Sequence, residues 1–492
     1  MFAFNSRPPD PANVGEGWDD LWMARLKAND PWSMKWLSHQ TRDAFWKHGS
    51  VCENYGDIEC AVYAVGGWAD GYSNAVPRML EGLSCPKKGL VGPWAHKYPH
   101  FALPGPRIGF LQETLRWWDH WLKNKDTGIM DEPEYRVWMQ DTAPPDTHYP
   151  IRSGRWVAEP TWPSDNIQSW KLYLDENRLT ETVGDPQKVL IHTPLTMGAR
   201  QGEWCGHGLD PDLPADQRED DGCSVVFETD PLTEVVEILG APVLNLRLSS
   251  DRPNGFIVAR LNDVAPNGAS ARVTYGVLNL THKNSHEFPE PLVPGETYDV
   301  RLQLNDVAQV FPVGHRIRIA LSNTMWPLFW PSPELVTLAL ETNNSYLELP
   351  TRIPRDSDQS LTQFDSPESA KPQNSEELEA PKYTRLVERD DVLSESRLTV
   401  VADSGMLRLT DLGWEHGSVS RQNYSIRDGD PNSAQINLHW TMRFRRPDAD
   451  LDVRTETHSS LISTPTEFHF TAEMEVSVSY THLRAHETDS YL

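Results

Sequence analysis

Residues 60–80 read CAVYAVGGWADGYSNAVPRML, and residues 87–100 read KKGLVGPWAHKYPH. Each stretch opens on a short apolar run that ends at glycine, Cys60–Gly67 in the first and Lys88–Pro93 in the second. Runs this short and this apolar read as strands buried on both faces of a parallel sheet. Between them Asn74–Leu83 can form a helix. After them Ile108–Lys125 carries Phe110, Leu111, Leu115, Trp118, Trp121 and Leu122 at helical spacing. Residues 50–125 therefore read strand, helix, strand, helix, which is an α/β pattern.

Upstream, Trp18, Leu21, Trp22 and Leu26, then Trp32, Trp36, Leu37 and Phe45, recur near three- and four-residue spacings, broken at Asn29-Asp30-Pro31. Two short amphipathic helices are expected, their aromatic faces packing as core or capping a pocket. Downstream of about residue 133 the pattern changes to short alternating runs. These are Tyr135–Met139, Trp170–Leu174, Val243–Leu248, Phe256–Leu261, Val273–Leu280, Tyr298–Leu304, Arg316–Leu321 and Leu335–Leu340. Turn signals such as Ala265-Pro266-Asn267-Gly268 and Val293-Pro294-Gly295-Glu296 separate them, which argues a β-sandwich or jelly roll. Residues 353–382 are rich in Ser, Asp, Glu, Pro and Gln, with Phe364 the one aromatic, and read as a linker or surface excursion. Arg397–Leu412, Asn423–Arg427, Ala434–Phe444 and Leu451–Ile462 form a further all-β unit.

The chemistry sits just beyond the two buried strands. The first is followed by Trp68-Ala69-Asp70-Gly71-Tyr72, the second by Trp94-Ala95-His96. In an open parallel sheet, ligands bind outside the carboxyl ends of the strands. Asp70 and His96 can therefore meet at that edge. A carboxylate bonded to imidazole Nδ1–H fixes the tautomer and stabilises the imidazolium, leaving the other nitrogen to take a proton from a nucleophile. Asp before His is also the chain order of α/β-hydrolases. The spacing alone is weak, because a loop Asp more often makes an Asx-turn or caps a helix.

The segments GGWADGYSNAVPRML, KKGLVGPWAHKYPH and LRWWDHWLK resemble the CocE/NonD family of serine hydrolases. That family includes cocaine esterase-like, α-amino acid ester hydrolase-like and X-Pro dipeptidyl-peptidase-like enzymes. SDRPNGFIVARLNDVAPNGASARVTYGVL and VFPVGHRIRIALSNTMWP resemble the X-Pro dipeptidyl-peptidase carboxyl-terminal domain. Together these stretches span most of residues 1–350. The resemblance implies α/β plus β architecture: a partial α/β-hydrolase domain with a helical cap segment, then a jelly-roll sandwich and a further all-β unit. Expected boundaries are 1–50 for the cap, 51–132 for the hydrolase portion and 133–352 for the jelly roll. A linker over 353–382 and an extra β domain over 383–476 follow. The resemblance makes Asp70 the triad acid and His96 the base, with Trp68, Tyr72, Trp94 and the cap tryptophans near the acyl pocket. It implies a small-molecule ester, amide or peptide substrate, including X-Pro dipeptides, and no metal or organic cofactor.

The family's nucleophile sits in a G-x-S-x-G elbow, and no G-x-S-x-G occurs in the chain. Ser73 is too close to Asp70, and Ser404 is far downstream. The elbow is therefore expected upstream of Met1, in a chain truncated at its amino end and inactive alone. Met1–Asp10 lacks the basic and apolar regions of a signal peptide, and any such leader would also lie upstream. A soluble protein, cytoplasmic or secreted, is expected. Ser477–Leu492, SVSYTHLRAHETDSYL, abandons the preceding alternation and reads as a translated sequencing adapter, the alternative being a genuine polar tail.

The 492 residues suggest about three domains at roughly 150 residues each. The net charge of −26 repels phosphate backbones and anionic lipid, so neither nucleic acid nor membrane is an expected partner. The sandwich can shape the pocket or support homo-oligomer contacts. Five cysteines, Cys52, Cys60, Cys85, Cys205 and Cys223, show no C-x-x-C and read as buried or free thiols. No metal site is expected: Pro99 lies between His96 and His100, and Asp210, Asp212, Asp216, Glu219, Asp220 and Asp221 lack EF-hand spacing and read as a solvated acidic loop. The rival from another class is a non-catalytic jelly-roll module binding carbohydrate or peptide beside a degenerate hydrolase remnant.

Overall fold

The computed structural model describes residues 2–449 and 451–478, and the backbone of 481–491. It is mostly strand with few helices. Contacts divide it into two units: residues 44–329 with 336–369, and residues 1–43 with 330–335 and 370–492. This division differs from the boundaries read from the sequence, because residues 1–43 cluster with the carboxyl-terminal strands.

In the first unit, strands β1 (Val62–Gly67), β2 (Lys87–Gly92) and β3 (Tyr135–Gln140) run parallel, with β2 central. β4 (Gly154–Glu159) pairs antiparallel with β3. Side chains alternate across the sheet as a pleat requires. Ala64 of β1 and Val91 of β2 meet Val76 and Leu80 of the helix Ala75–Gly82. Tyr63, Val65 and Leu90 face the other way, in the cluster that holds Trp94, Ala102 and Ile108. On that side the Tyr63 ring lies 5.3 Å from Trp117 of the helix Phe110–Lys123. Helical packing on both faces explains why neither strand has a polar side.

Gln140 of β3 pairs in parallel with Gln309 of the strand Val307–Phe311, which leads into antiparallel β structure. Phe256–Val264 lies between Ser270–Asn279 and Arg316–Ser322. Val243–Ser250 lies between Thr297–Gln303 and Leu338–Arg352. Their inward residues, among them Leu246, Leu248, Ile257, Leu261, Ile317, Ile319 and Leu347, form the unit's largest core. The proposed Leu335–Leu340 run is in fact the start of the long strand Leu338–Arg352.

Residues 353–369 are more than a linker. Phe364 lies 3.9 Å from the Arg136 guanidinium and 5.1 Å from the Trp156 ring, and the Gly109 amide donates to the Asp365 carbonyl at 2.7 Å. One aromatic is enough to seat a polar segment on β3 and β4. The acidic cluster is a solvated loop only in part: Asp210 and Glu219 are exposed, but Asp220 and Asp221 are not. Asp221 is buried, paired with Arg260 and Arg318 at 3.0 Å each. Asp220, also buried, accepts from the Gly198 and Arg200 amides. Charge density alone could not reveal arginines placed far along the chain.

In the second unit, Trp22 and Leu26 of the helix Trp18–Lys27 pack with Met442, Phe444, Val453, Met474 and Val476. That helix ends before Asn29-Asp30-Pro31, as its sequence requires, and Trp32–Ser38 follows. Trp22 is therefore core, while Trp32 and Trp36 are exposed. The antiparallel strands Glu395–Leu409, Trp414–Arg427, Asp430–Arg446, Leu451–Ser463 and Phe468–Val478 pair in succession. The backbone of Thr481–Tyr491 pairs with Phe468–Val478. The adapter reading of Ser477–Leu492 otherwise falls largely outside the described residues.

Candidate active site

β1 and β2 end side by side at Gly67 and Gly92, and the chain beyond each is stitched to the other. The Trp68 amide donates to the Gly92 carbonyl at 2.9 Å, and the Ala69 amide to the Trp94 carbonyl at 3.1 Å. Gly67 is required for this approach, since a Cβ there would stand 2.0 Å from the Trp94 carbonyl oxygen. The stitching brings Asp70 and His96 together.

His96 Nδ1 lies 2.9 Å from Asp70 Oδ2. Asp70 Oδ1 accepts from the Tyr72 amide at 3.1 Å. The carboxylate thus makes an Asx-type turn with one oxygen and orients the imidazole with the other. The contact to the imidazole and the Asx-type turn are compatible in one side chain. Its side chain is 14 % exposed and that of His96 50 %, so the pair sits at the surface with the carboxylate beneath.

A cleft opens beside the pair. Trp68, Asp70, Ser73, Tyr149, Trp204 and Asp306 are among its lining residues. The Trp68 indole donates to the Trp138 carbonyl at 2.8 Å, which fixes its plane. Tyr72, 55 % exposed, places its ring 5.8 Å from that of His96 and 5.3 Å from that of Trp204. Trp94 is not a pocket residue. It is buried in the core with Leu90, Ala102 and Ile108, its indole N–H donating to the Pro106 carbonyl at 2.8 Å. Trp94 and His96 are two residues apart and would share a face in a continuing strand, but the chain leaves β2 after Gly92, and Trp94 is buried while His96 is half exposed. His100 does not join His96; it stacks on Phe110 at 6.1 Å and contacts Phe101 at 4.7 Å.

A loop between the strand Lys188–Ile191 and the helix Arg218–Gly222 completes the edge, and sequence reasoning missed it. The His96 amide donates to the Gly206 carbonyl at 2.8 Å. Cys205 Sγ lies 3.8 Å from Asp70 Oδ1. Burial, with the Asp70 carboxylate adding to it, pushes the Cys205 thiol up from its ordinary range. The His207 ring stands edge-on to His96 at 5.5 Å. Asp212 holds the loop by accepting from the His207 and Leu209 amides at 2.7 and 3.2 Å. Its carboxyl is pushed up by burial. The one signal available in sequence was a cysteine and a histidine flanking a glycine.

Comparison with known proteins follows this geometry. Residues 1–98 match the family model of the X-Pro dipeptidyl-peptidase (S15 family), and residues 127–368 that of the X-Pro dipeptidyl-peptidase C-terminal non-catalytic domain. A Mycobacterium bovis protein bearing the name "Putative serine esterase" is 28% identical over 302 residues, which are 53% of this chain and 45% of that protein. The cocaine esterase of Rhodococcus sp. is 24% identical over 325 residues, 61% of this chain and 55% of that one. The chain spans about half the length of the curated relatives it matches. Among solved structures, a CocE/NonD family hydrolase from Staphylococcus aureus shares the fold, with a TM-score of 0.51, 14% identity and coverage of 68% of this chain and 62% of that one. No helix among the described residues is long and apolar enough to cross a membrane. With an S15-type segment followed in the same chain by a match to its C-terminal domain, and esterases among its relatives, the chain is similar to the CocE/NonD-like serine hydrolases.

Proposed function

We propose that the chain is the acid–base portion of a serine hydrolase that cleaves ester or amide bonds, X-Pro dipeptide bonds included, through an acyl-enzyme. Asp70 is the acid that orients and stabilises His96, and His96 Nε2 is the base. Trp68 and Tyr72 border the acyl site. The reading assigns β1–β3 and their helices to an α/β-hydrolase domain. Residues 133–352 are a jelly roll, and the strands from about residue 383 an additional β domain. The carrying observation is the 2.9 Å contact between His96 Nδ1 and Asp70 Oδ2 at the carboxyl ends of two parallel strands.

In the reaction, Nε2 takes the proton from the attacking hydroxyl as its oxygen bonds to the substrate carbonyl. The resulting imidazolium, held by Asp70, then protonates the departing alcohol or amine. Water attacks the acyl-enzyme by the same route, and no metal or organic cofactor enters. The chain contains no G-x-S-x-G. The nucleophile and oxyanion hole therefore belong to sequence outside these residues, and the chain alone does not turn over. The matches are to esterases and peptidases, so the binding-module reading is not favoured.

The test is p-nitrophenyl ester turnover. The chain alone should be inactive. The protein including a G-x-S-x-G segment should be active, and His96→Ala in it should lower kcat by about 10³-fold or more. Unchanged turnover would remove His96 from the mechanism, and turnover by the chain alone would refute an external nucleophile.

A further inference from the structure

Asp70, His96 and Cys205 each offer one ligand-type atom, and these atoms lie within 4.8 Å of one another. Two of these residues are the proposed acid and base. The third has no part in that reaction, and it comes from a loop 109 positions beyond His96 in sequence. We propose that these three side chains form a site for a zinc-type divalent cation, bound by a carboxylate, an imidazole and a thiolate, with its fourth position open to water.

The spacing fits such an ion. Zinc bonds oxygen and nitrogen at about 2.0–2.2 Å and sulfur at about 2.3 Å, so tetrahedral ligand atoms stand roughly 3.3–3.7 Å apart. His96 Nδ1 lies 2.9 Å from Asp70 Oδ2 and Cys205 Sγ 3.8 Å from Asp70 Oδ1, so the two donors flank opposite oxygens of one carboxylate at distances on either side of that range. Small side-chain shifts bring the set to a tetrahedron. The donor types select the ion: a thiolate with an imidazole favours zinc and its softer neighbours over magnesium or calcium.

The site is held before any ion arrives. The His96 amide is bonded to the Gly206 carbonyl, which fixes the residue after Cys205 against the β2 end. On the other flank the Trp204 indole lies over Gly71, where a Cβ would come within 2.9 Å of it. Both residues adjoining Cys205 are thus pinned to the loops that carry Asp70 and His96. His207 adds a second imidazole 5.5 Å from the first.

On binding, the Cys205 S–H bond breaks and its proton goes to solvent, the imidazole proton moves from Nδ1 to Nε2 by exchange with solvent, and sulfur, Nδ1 and a carboxylate oxygen each form a bond to the cation. The Asp70–His96 hydrogen bond gives way. An ion in this site and proton transfer by His96 are mutually exclusive. Binding itself needs only the three donors and does not depend on the hydrolase reading.

The test uses the whole chain and cobalt(II), whose bond to a thiolate produces a near-ultraviolet charge-transfer band. Wild type should show the band at one cobalt per chain, displaced by zinc. Cys205→Ser should abolish it, and Cys223→Ser, which changes an exposed thiol elsewhere, should retain it. By calorimetry, Asp70→Asn should weaken zinc binding about tenfold or more, with circular dichroism confirming the fold of each variant. No band in wild type, or a band that persists in Cys205→Ser, overturns the site; so does unchanged zinc affinity in folded Asp70→Asn. None of these readouts uses turnover, so failure here is distinct from failure of the hydrolase reading.

Discussion

Asp306 lies on the wall of the cleft that Asp70 also lines, and burial pushes its carboxyl up to about 7. Its backbone amide donates to the Asn74 side chain at 2.8 Å, so the residue cannot easily swing out to water. In the unfolded chain the carboxyl titrates near 4. The native state therefore holds a proton that the unfolded state has lost across this interval, and stability should fall as pH rises from about 4 to 7. A shift of this size corresponds to roughly 4 kcal/mol at most. Asp306→Asn should remove that part of the pH dependence, measured by urea unfolding at a series of pH values. An identical slope in the variant would show that Asp306 is not its source. Asp70 and His96 were legible in sequence because each follows a recognisable strand by a few residues. Cys205, Asp212 and Asp306 were not, since each reaches the edge only through the pairing of distant strands. Trp94 was misplaced for a related reason: position after a strand marks the edge, but side-chain direction decides between pocket and core.

Among elements, the β1–β2 junction governs the site. A methyl group at Gly67 would meet the Trp94 carbonyl at 2.0 Å. Backbone on both sides leaves little room to relax, so Gly67→Ala should cost about 1–3 kcal/mol and lower Tm. An undiminished Tm would mean that the strand ends are not held this closely. The strands and flanking helices here were readable because burial on both faces leaves an unbroken apolar run. Turns were readable where glycine was compelled, as at Gly268 and Gly295, whose φ values are 86° and 82°. What escaped was anchoring by few residues: Phe364 on Arg136, and Asp221 between two arginines. Neither leaves a periodic trace. The aromatic helix Trp18–Lys27 was recognisable as a helix, but its partner strands lie more than 400 residues on.

Over the whole molecule, two features stand out, a buried charge network and an exposed apolar face. Arg352 is fully buried with Glu159, its Nε 2.7 Å from Glu159 Oε1, and both Nη atoms reach Asp358 at 2.8 Å. Arg352→Met leaves those carboxylates unpaired and should destabilise the first unit by about 3–5 kcal/mol, read by denaturant unfolding. A loss below about 1 kcal/mol would place the group among ordinary surface pairs. The second feature is apolar. Leu111, Leu115, Trp118 and Leu122 form one exposed stripe on the helix Phe110–Lys123, and β1 has no strand on its outer side among the described residues. Such a face drives association. Light scattering should show the chain self-associating with concentration, and Leu115→Glu with Leu122→Glu should suppress it; equal association in the double variant would exclude the stripe. The central claim is that Asp70 and His96 serve a nucleophile supplied from outside the 492 residues. Reading the source DNA in frame on the 5′ side of codon 1 tests it most directly. The account predicts an in-frame extension encoding G-x-S-x-G after a buried strand, and a stop codon before any such motif would contradict it.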